Sequence, residues 1–141
     1  MYRPLVDDKS IDAIVRRPDG TFVEVQIKAR SKDIAEEHAG LFAGIKCEPN
    51  PNYFFIFHSA YIGENGKMWI MTADEFIGIA SRQTQGKHAG AYTLHLSGCR
   101  RNKETGRKEP YGKPQFEKFA CTSFERLLAG HKAQISEGKE N

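Results

Sequence analysis

The alternation of apolar and polar residues near the start of the chain predicts a β-hairpin. Residues 11–17 (IDAIVRR) and 21–30 (TFVEVQIKAR) flank a Pro-Asp-Gly tripeptide at 18–20. Proline suits the first corner of a three-residue hairpin loop, and glycine accepts the left-handed conformation at its end. The two segments therefore pair antiparallel, in a register that sets Arg17 opposite Thr21.

This register gives the two faces of the hairpin different characters. One face is wholly apolar and suits a protein core. On the other face Asp12 lies opposite Gln26, and Lys28 follows Gln26 because strand side chains alternate with period 2. Directly opposed Cβ atoms are about 4.5–5.5 Å apart, so a carboxylate, an amide and an ammonium group come together. Ile14 and Phe22 share this face, which predicts that another element partly covers it.

The rest of the pattern predicts helices alternating with strands. Residues 53–60 (YFFIFHSA) form a continuous apolar run that is typical of a strand covered on both faces. The elements predicted after the hairpin are a helix at 33–46, strands at 53–60 and 67–72, a helix at 73–83 capped by Thr72, a strand at 91–98, a basic loop and a short helix at 124–130. We expect an α/β fold with a mixed central β-sheet flanked by helices. Residues 1–130 form one domain in this interpretation, and residues 131–141 form a flexible tail.

Composition restricts the classes of protein that remain. The chain has 141 residues, of which 39% are apolar and 28% charged, which suits one domain with a real core. No apolar run approaches the roughly 18 residues that span a bilayer, and the sequence MYRPLVDDKS lacks the apolar region of a secretory signal. The three cysteines form no CxxC pair, so free thiols in the cytoplasm are expected. The phosphate-loop and dinucleotide-binding motifs are missing, which predicts no nucleotide cofactor.

Positive charge is concentrated in one segment. Residues 99–118 hold seven basic and three acidic side chains, whereas the whole chain carries a net charge of +3. A basic segment of this kind can bind a phosphate backbone, and it can equally be a solvated loop.

The hairpin resembles the core of the PD-(D/E)xK, or restriction-endonuclease-like, nuclease superfamily. In that family an Asp opens one strand and a (D/E)xK motif lies on the next; here the matching residues are Asp12 and the run Gln26-Ile27-Lys28. Gln26 replaces the usual acid, as in the QxK branch of the family. The match is firm over residues 4–30 and looser to about residue 76.

The resemblance implies a restriction-endonuclease-like core and a Mg²⁺- or Mn²⁺-dependent endodeoxyribonuclease. Asp12, Gln26 and Lys28 would be the catalytic residues, and the cation would be bound by Asp12, Gln26 and the main-chain carbonyl of Ile27. Losing one negative charge at Gln26 should weaken metal binding. The candidate auxiliary acids are Asp7, Asp8 and Glu24. The candidate DNA-binding residues are Arg16, Arg30, Lys32, Arg100, Arg101, Arg107 and Lys108.

One departure from the family concerns its usual first helix, for which the sequence before Asp12 is too short. A missing covering helix would expose an apolar surface, which predicts a homodimer with no membrane partner. The alternative is a non-catalytic nucleic-acid-binding or assembly module that keeps the fold without cleavage. A third interpretation is an unrelated interaction domain.

Overall fold

The predicted hairpin forms with the expected register. The computed structural model describes residues 11–31, 33 and 35–128, and the hairpin begins this part of the chain. Strand β1 (Ala13–Arg16) pairs antiparallel with β2 (Phe22–Arg30), with Ala13 opposite Val25. Gly20 closes the turn at a φ of 92°, in the left-handed region that the Pro-Asp-Gly sequence predicts. Local sequence alone therefore determines this unit.

The described residues form ten strands and three short helices. The other strands are β3 (Leu41–Ile45), β4 (Tyr53–Ser59), β5 (Lys67–Thr72), β6 (Ser81–Arg82), β7 (Tyr92–His95), β8 (Ser97–Arg101), β9 (Lys108–Gly112) and β10 (Ala120–Cys121). The helices are α1 (Ala73–Ile79) and two 3₁₀ helices, Glu36–His38 and Pro114–Phe119. Residues 125–128 add one helical turn. None of these helices, within the described ranges, has the length and apolar character needed to cross a membrane.

A five-stranded sheet in the order β1-β2-β4-β5-β10 carries the fold. β2 and β4 are parallel and the other neighbours are antiparallel, so the sheet is mixed and the prediction of an α/β fold with a mixed sheet is confirmed. Few helices accompany it. β3, β7 and β6 form a second sheet, and β8 pairs with β9 alone.

Strand β4 is buried on both faces of the main sheet, as its continuous apolar sequence predicts. Phe55 and Phe57 are fully buried on one face, and Phe54 and Ile56 are buried on the other. The first pair packs with Trp69 and the members of a large cluster; the second pair packs in a smaller cluster with Val23, Val25, Ile70 and Leu127. The sheet thus separates two apolar layers.

The prediction of a helix at 33–46 is wrong. The segment contains the short 3₁₀ helix Glu36–His38 and then strand β3, which pairs antiparallel with β7. Gly40 and Gly44 disfavour an α-helix in this segment, and Gly44 adopts a φ of 70° that an α-helix does not accept. β3 is bulged between Phe42 and Ile45, so both side chains are buried although they are three positions apart. Burial at this separation resembles the repeat of an amphipathic helix.

The prediction of a basic loop is also wrong. Two of its parts are strands, since β8 and β9 form an antiparallel ribbon, and the 3₁₀ helix Pro114–Phe119 follows. The predicted strand at 91–98 is confirmed over β7 and continues after Leu96 into β8. Of the short helix predicted at 124–130, the structure describes a turn at 125–128; residues 129–130 and the predicted tail at 131–141 lie outside the described residues.

Helix α1 begins where the sequence predicts and ends earlier, at Ile79. Thr72 Oγ1 accepts a hydrogen bond from the Glu75 main-chain N–H, and Glu75 Oε1 accepts one from the Thr72 N–H, which completes a capping box. Glu75 Oε2 also accepts from Arg126 Nη2 at 2.6 Å. This ion pair ties residues 125–128 to the start of α1. Burial raises the pKa of Glu75, but the hydrogen bonds from Arg126 and Thr72 outweigh it and hold that pKa below its ordinary value of 4.5.

We predict that Glu75→Gln destabilises the fold at neutral pH and that the difference from the native chain disappears in acid. A lowered carboxylate pKa stabilises the folded state above 4.5, and this contribution is lost as the pH falls through the lowered value. Urea unfolding at neutral pH and at successive values below 4.5 measures the effect. Asp74→Asn, an exposed change in the same helical turn, is the control. A constant difference at all pH values would contradict the prediction.

Candidate functional site

The Asp12 carboxylate is anchored beside the Gln26-Ile27-Lys28 run. Asp12 Oδ2 accepts a hydrogen bond from the Ile27 main-chain N–H at 2.7 Å, and the Asp12 N–H donates to the Val25 carbonyl at 2.8 Å. The N–H and the C=O of one strand residue point to the same neighbouring strand, so the Ile27 carbonyl faces the same edge as Asp12. The hairpin thereby brings the Asp12 carboxylate beside the Gln26-Ile27-Lys28 motif, as expected.

Gln26 is a buried amide on the face of β2 that carries the large apolar cluster. Its side chain is only 8% exposed, and Gln26 Oε1 accepts a hydrogen bond from the Tyr53 hydroxyl at 3.2 Å. Tyr53 begins β4, whose parallel pairing with β2 sets Gln26 opposite Phe55. A buried amide without a partner is costly, so the Tyr53 hydroxyl stabilises Gln26 in this position.

A cavity of about 720 Å³ opens in front of Gln26 and Lys28. Its walls come from β2, from the end of β3 with the following residues 46–50, and from Tyr53, Ala89 and Gly90. Lys46 contributes a second ammonium group to the lining and Glu48 a carboxylate. A cavity of this volume, with mixed polar and apolar walls, has the dimensions of a small-molecule or nucleotide site.

The Tyr53 hydroxyl and the Cys47 thiol in the cavity wall are both uncharged at neutral pH. Burial raises the pKa of Tyr53 to about 12, and the nearby Glu24 and Asp12 carboxylates act in the same direction. Burial also raises the pKa of the Cys47 thiol to about 11, with Asp74 and Glu48 adding to the effect. Cys47 is therefore a poor nucleophile at neutral pH. Tyr53 acts as a hydrogen-bond donor rather than as a base.

The oxygen donors near Asp12 and Gln26 are of the chemical types that a hard divalent cation takes. The Asp12 carboxylate, the Gln26 amide oxygen and the Ile27 carbonyl are the donor types that Mg²⁺ prefers, and Mg²⁺ usually keeps several waters beside one or two carboxylates. Gln26 Oε1 uses one lone pair for the Tyr53 hydroxyl and retains a second. In the part of the chain that the structure describes, no three His, Cys, Asp or Glu side chains are grouped for a metal. Ligands here would be one carboxylate with neutral oxygens.

The structure describes one of the three predicted auxiliary acids and both of the hairpin residues that were expected to be covered. Glu24 lies two residues before Gln26 on the same face of β2, and its charge acts on Tyr53. Asp7 and Asp8 lie outside the described residues. Ile14 and Phe22 are 58% and 57% exposed, so within the described ranges no element gives this part of the hairpin the expected cover.

Arg16 and Arg30, two predicted DNA-binding residues of the hairpin, have different surroundings. Arg16 is exposed at the end of β1, whereas Arg30 donates from Nε to the Leu41 carbonyl at 2.8 Å and stacks over the Phe42 ring at 5.3 Å. Arg30 thus stabilises the start of β3, which leaves its guanidinium less available to a phosphate. Lys32 lies outside the described residues.

The remaining basic candidates lie on the β8–β9 ribbon. The Arg100 guanidinium stacks over the Tyr111 ring at 4.8 Å, and Arg101 Nη1 donates to the Gly106 carbonyl. Arg107 and Lys108 are exposed at the start of β9. They occupy a unit separate from the main sheet.

Sequence reasoning missed two residues that shape the site, and it missed the burial of a third residue outside it. Tyr53 was assigned only to a buried strand, and Lys46 to a helix, because their meeting with Gln26 and Lys28 depends on the β2–β4 pairing and on the path after β3. Arg17 is only 4% exposed and donates from Nε to the Leu127 carbonyl at 2.9 Å. An arginine beside an exposed turn carries no sequence signal of such burial.

Comparison of the chain with protein-family models, with curated proteins and with solved structures finds no match. The interpretation of the site therefore depends on its own residues and geometry.

We predict that Tyr53→Phe destabilises the protein by about 1–3 kcal/mol, because it removes a hydrogen bond from the buried Gln26 amide. Urea unfolding measures the loss. The double variant Tyr53→Phe with Gln26→Leu is the control, since it removes both polar partners and should recover part of the stability. A double variant whose loss equals the sum of the two single losses would contradict the coupling.

Proposed function

We propose that this protein is a metal-dependent nuclease that hydrolyses DNA phosphodiester bonds at Asp12, Gln26 and Lys28. The observation that carries the proposal is the 2.7 Å hydrogen bond from the Ile27 N–H to Asp12 Oδ2. It holds a carboxylate at the strand whose next side chains, Gln26 and Lys28, line a cavity of about 720 Å³. An amide oxygen and an ammonium group in the cavity wall, with the Asp12 carboxylate bonded to the residue between them, are group types that suit phosphoryl transfer.

The strand order gives further support to a restriction-endonuclease-like core. The strand that bears Gln26 and Lys28 lies between the Asp12 hairpin strand β1 and the apolar strand β4, to which it is parallel. The connection between β2 and β4 differs from the expectation, since a 3₁₀ helix and β3 replace a helix. The support therefore comes from the hairpin and β4, and not from the connection between them.

Each residue has a defined role in this proposal. Asp12, Gln26 and the Ile27 carbonyl would hold Mg²⁺ or Mn²⁺, which when bound stabilises charge on the phosphoryl oxygens and lowers the pKa of a water ligand. Lys28 Nζ orients the attacking water and offsets the negative charge that develops on the phosphate. Glu24 adds negative charge to the same face and partly compensates for the neutral amide at Gln26.

The alternative function is a nucleic-acid-binding or assembly module without cleavage. The observation that favours it is Gln26 itself, which is buried, neutral and bonded to Tyr53. A structural amide explains this arrangement without a cation. Such a module binds DNA with a steep salt dependence and cleaves it with neither Mg²⁺ nor Mn²⁺.

We predict that the native chain cleaves supercoiled plasmid DNA with Mg²⁺ or Mn²⁺ and that Lys28→Ala and Asp12→Asn each lower the rate by about 10²-fold or more. Gel electrophoresis of nicked and linear products measures the rate. Lys46→Ala is the matched control, because Lys46 lines the same cavity outside the motif. It should retain a rate within severalfold of the native chain.

Three results would decide against the proposal or its site. Equal cleavage by the native chain and Lys28→Ala would overturn the site assignment. Equal losses in Lys28→Ala and Lys46→Ala would show a dependence on cavity charge alone. A folded native chain that cleaves with neither metal would favour the binding module.

A further inference from the structure

The strands β8 and β9 form a ribbon that is hydrogen-bonded to neither of the other sheets. We call residues 97–112 the basic ribbon, because five of its side chains are basic and two are acidic. The basic side chains are Arg100, Arg101, Lys103, Arg107 and Lys108. All five are exposed, so this end of the molecule presents a concentration of positive charge to solvent.

The tip of the basic ribbon has a defined backbone structure. Asn102 Oδ1 accepts hydrogen bonds from the N–H groups of Glu104 and Thr105 at 2.8 and 3.1 Å. The Asn102 N–H donates to the Arg107 carbonyl at 2.8 Å, and Gly106 turns the chain at a φ of 74°. The basic side chains therefore project from an ordered turn, which lowers the entropy lost when a partner binds.

The base of the basic ribbon is packed by one aromatic side chain. Tyr111 lies opposite Gly98, and a Cβ atom at Gly98 would meet the Tyr111 ring at 2.7 Å. Glycine is thus required where the ring covers the neighbouring strand. The Arg100 guanidinium stacks on the same ring at 4.8 Å, which fixes its position.

Like charges face each other across the ribbon near its tip. Arg101 lies directly opposite Lys108, a pairing that destabilises an antiparallel sheet. Lys108 Nζ reaches Glu37 at 3.6 Å, but both side chains are about half exposed and such a pair contributes little. An anionic partner between or beside the two cations would remove the repulsion. The arrangement costs stability in the free protein and favours binding to a polyanion.

We propose that the basic ribbon enters the major groove of duplex DNA and holds the duplex for the cleavage proposed above. The major groove of B-form DNA is about 12 Å wide and admits a two-stranded ribbon, whereas the deep, narrow major groove of duplex RNA does not. Lys103 and Arg107 at the tip contact phosphates. The inference depends on the proposed function only for the fate of the bound DNA.

The connection between the ribbon and the site supports this division of roles. The 3₁₀ helix Glu36–His38 packs against both strands of the ribbon, and it belongs to the segment that joins β2 to β3. The same segment continues into the cavity wall at residues 44–50. A duplex held by the ribbon is therefore attached to the chain segment that lines the candidate site.

The test is the binding of a short, fluorescently labelled DNA duplex in EDTA, where no metal-dependent cleavage occurs. We expect Lys103→Gln with Arg107→Gln to weaken binding roughly tenfold and to reduce the slope of log affinity against log salt by about 2. Among the described residues neither side chain makes a hydrogen bond or an ion pair, so the fold should be unchanged by circular dichroism. Lys87→Gln, which removes an exposed cation outside the ribbon, should leave the slope unchanged.

A second variant and a second nucleic acid make the result specific. Glu104→Gln removes an acid from the same turn and should strengthen duplex binding. An RNA duplex of the same sequence should bind more weakly than DNA and show a smaller effect of the double variant. Equal slopes for the native chain and the double variant, or an RNA duplex that binds as tightly, would overturn the inference.

These measurements can refute the DNA-binding proposal for the basic ribbon and the nuclease proposal independently of each other. Ribbon-dependent DNA binding without cleavage in either metal would overturn the proposed function and leave the ribbon assignment intact. Metal-dependent cleavage that is lost in Lys28→Ala but unaffected by the ribbon variants would do the reverse.

Discussion

The parallel pairing of β2 with β4 is the interaction on which the rest of the structure depends. It buries β4 on both faces, so that Phe55 and Phe57 pack in one apolar layer while Phe54 and Ile56 pack in the other. A parallel pair needs a crossover connection, and here the crossover supplies the cavity wall. Core formation and site formation are therefore one event in this chain, because the strand that completes the core also brings the Tyr53 hydroxyl to Gln26.

That hydrogen bond defines the chemical character of the site. An acid at the Gln26 position would face Tyr53 in a buried setting and would bear a high desolvation cost unless a cation neutralised it. The amide avoids this cost and keeps the folded state stable without any ligand. It also leaves Asp12 as the anionic oxygen donor at the edge of the strand, held by the Ile27 N–H. A neutral amide in this buried position needs no counter-charge for the fold to be stable.

The elements determined by local sequence were predictable, and those determined by distant pairing were not. The Pro-Asp-Gly turn set the hairpin register, and Thr72 with Glu75 set the start of α1, because these interactions span four residues or fewer. By contrast, β3 exists because it pairs with β7, and its bulged spacing imitates a helix. The same reason explains the candidate site: the position of Asp12 beside Ile27 followed from the hairpin, whereas the contribution of Tyr53 required the tertiary fold.

A weakly charged site and a strongly charged ribbon are complementary in physical terms. A single carboxylate with neutral oxygens binds a divalent cation less tightly than an acidic pair does, and Mg²⁺ commonly takes further ligands from substrate phosphates. A substrate held by remote contacts raises the local concentration of those phosphates, and binding energy gained away from the reacting atoms can be used to position them. A ribbon that binds duplex DNA would therefore supply what the Gln26 site lacks. The repulsion between Arg101 and Lys108, unfavourable in the free protein, would be relieved in such a complex.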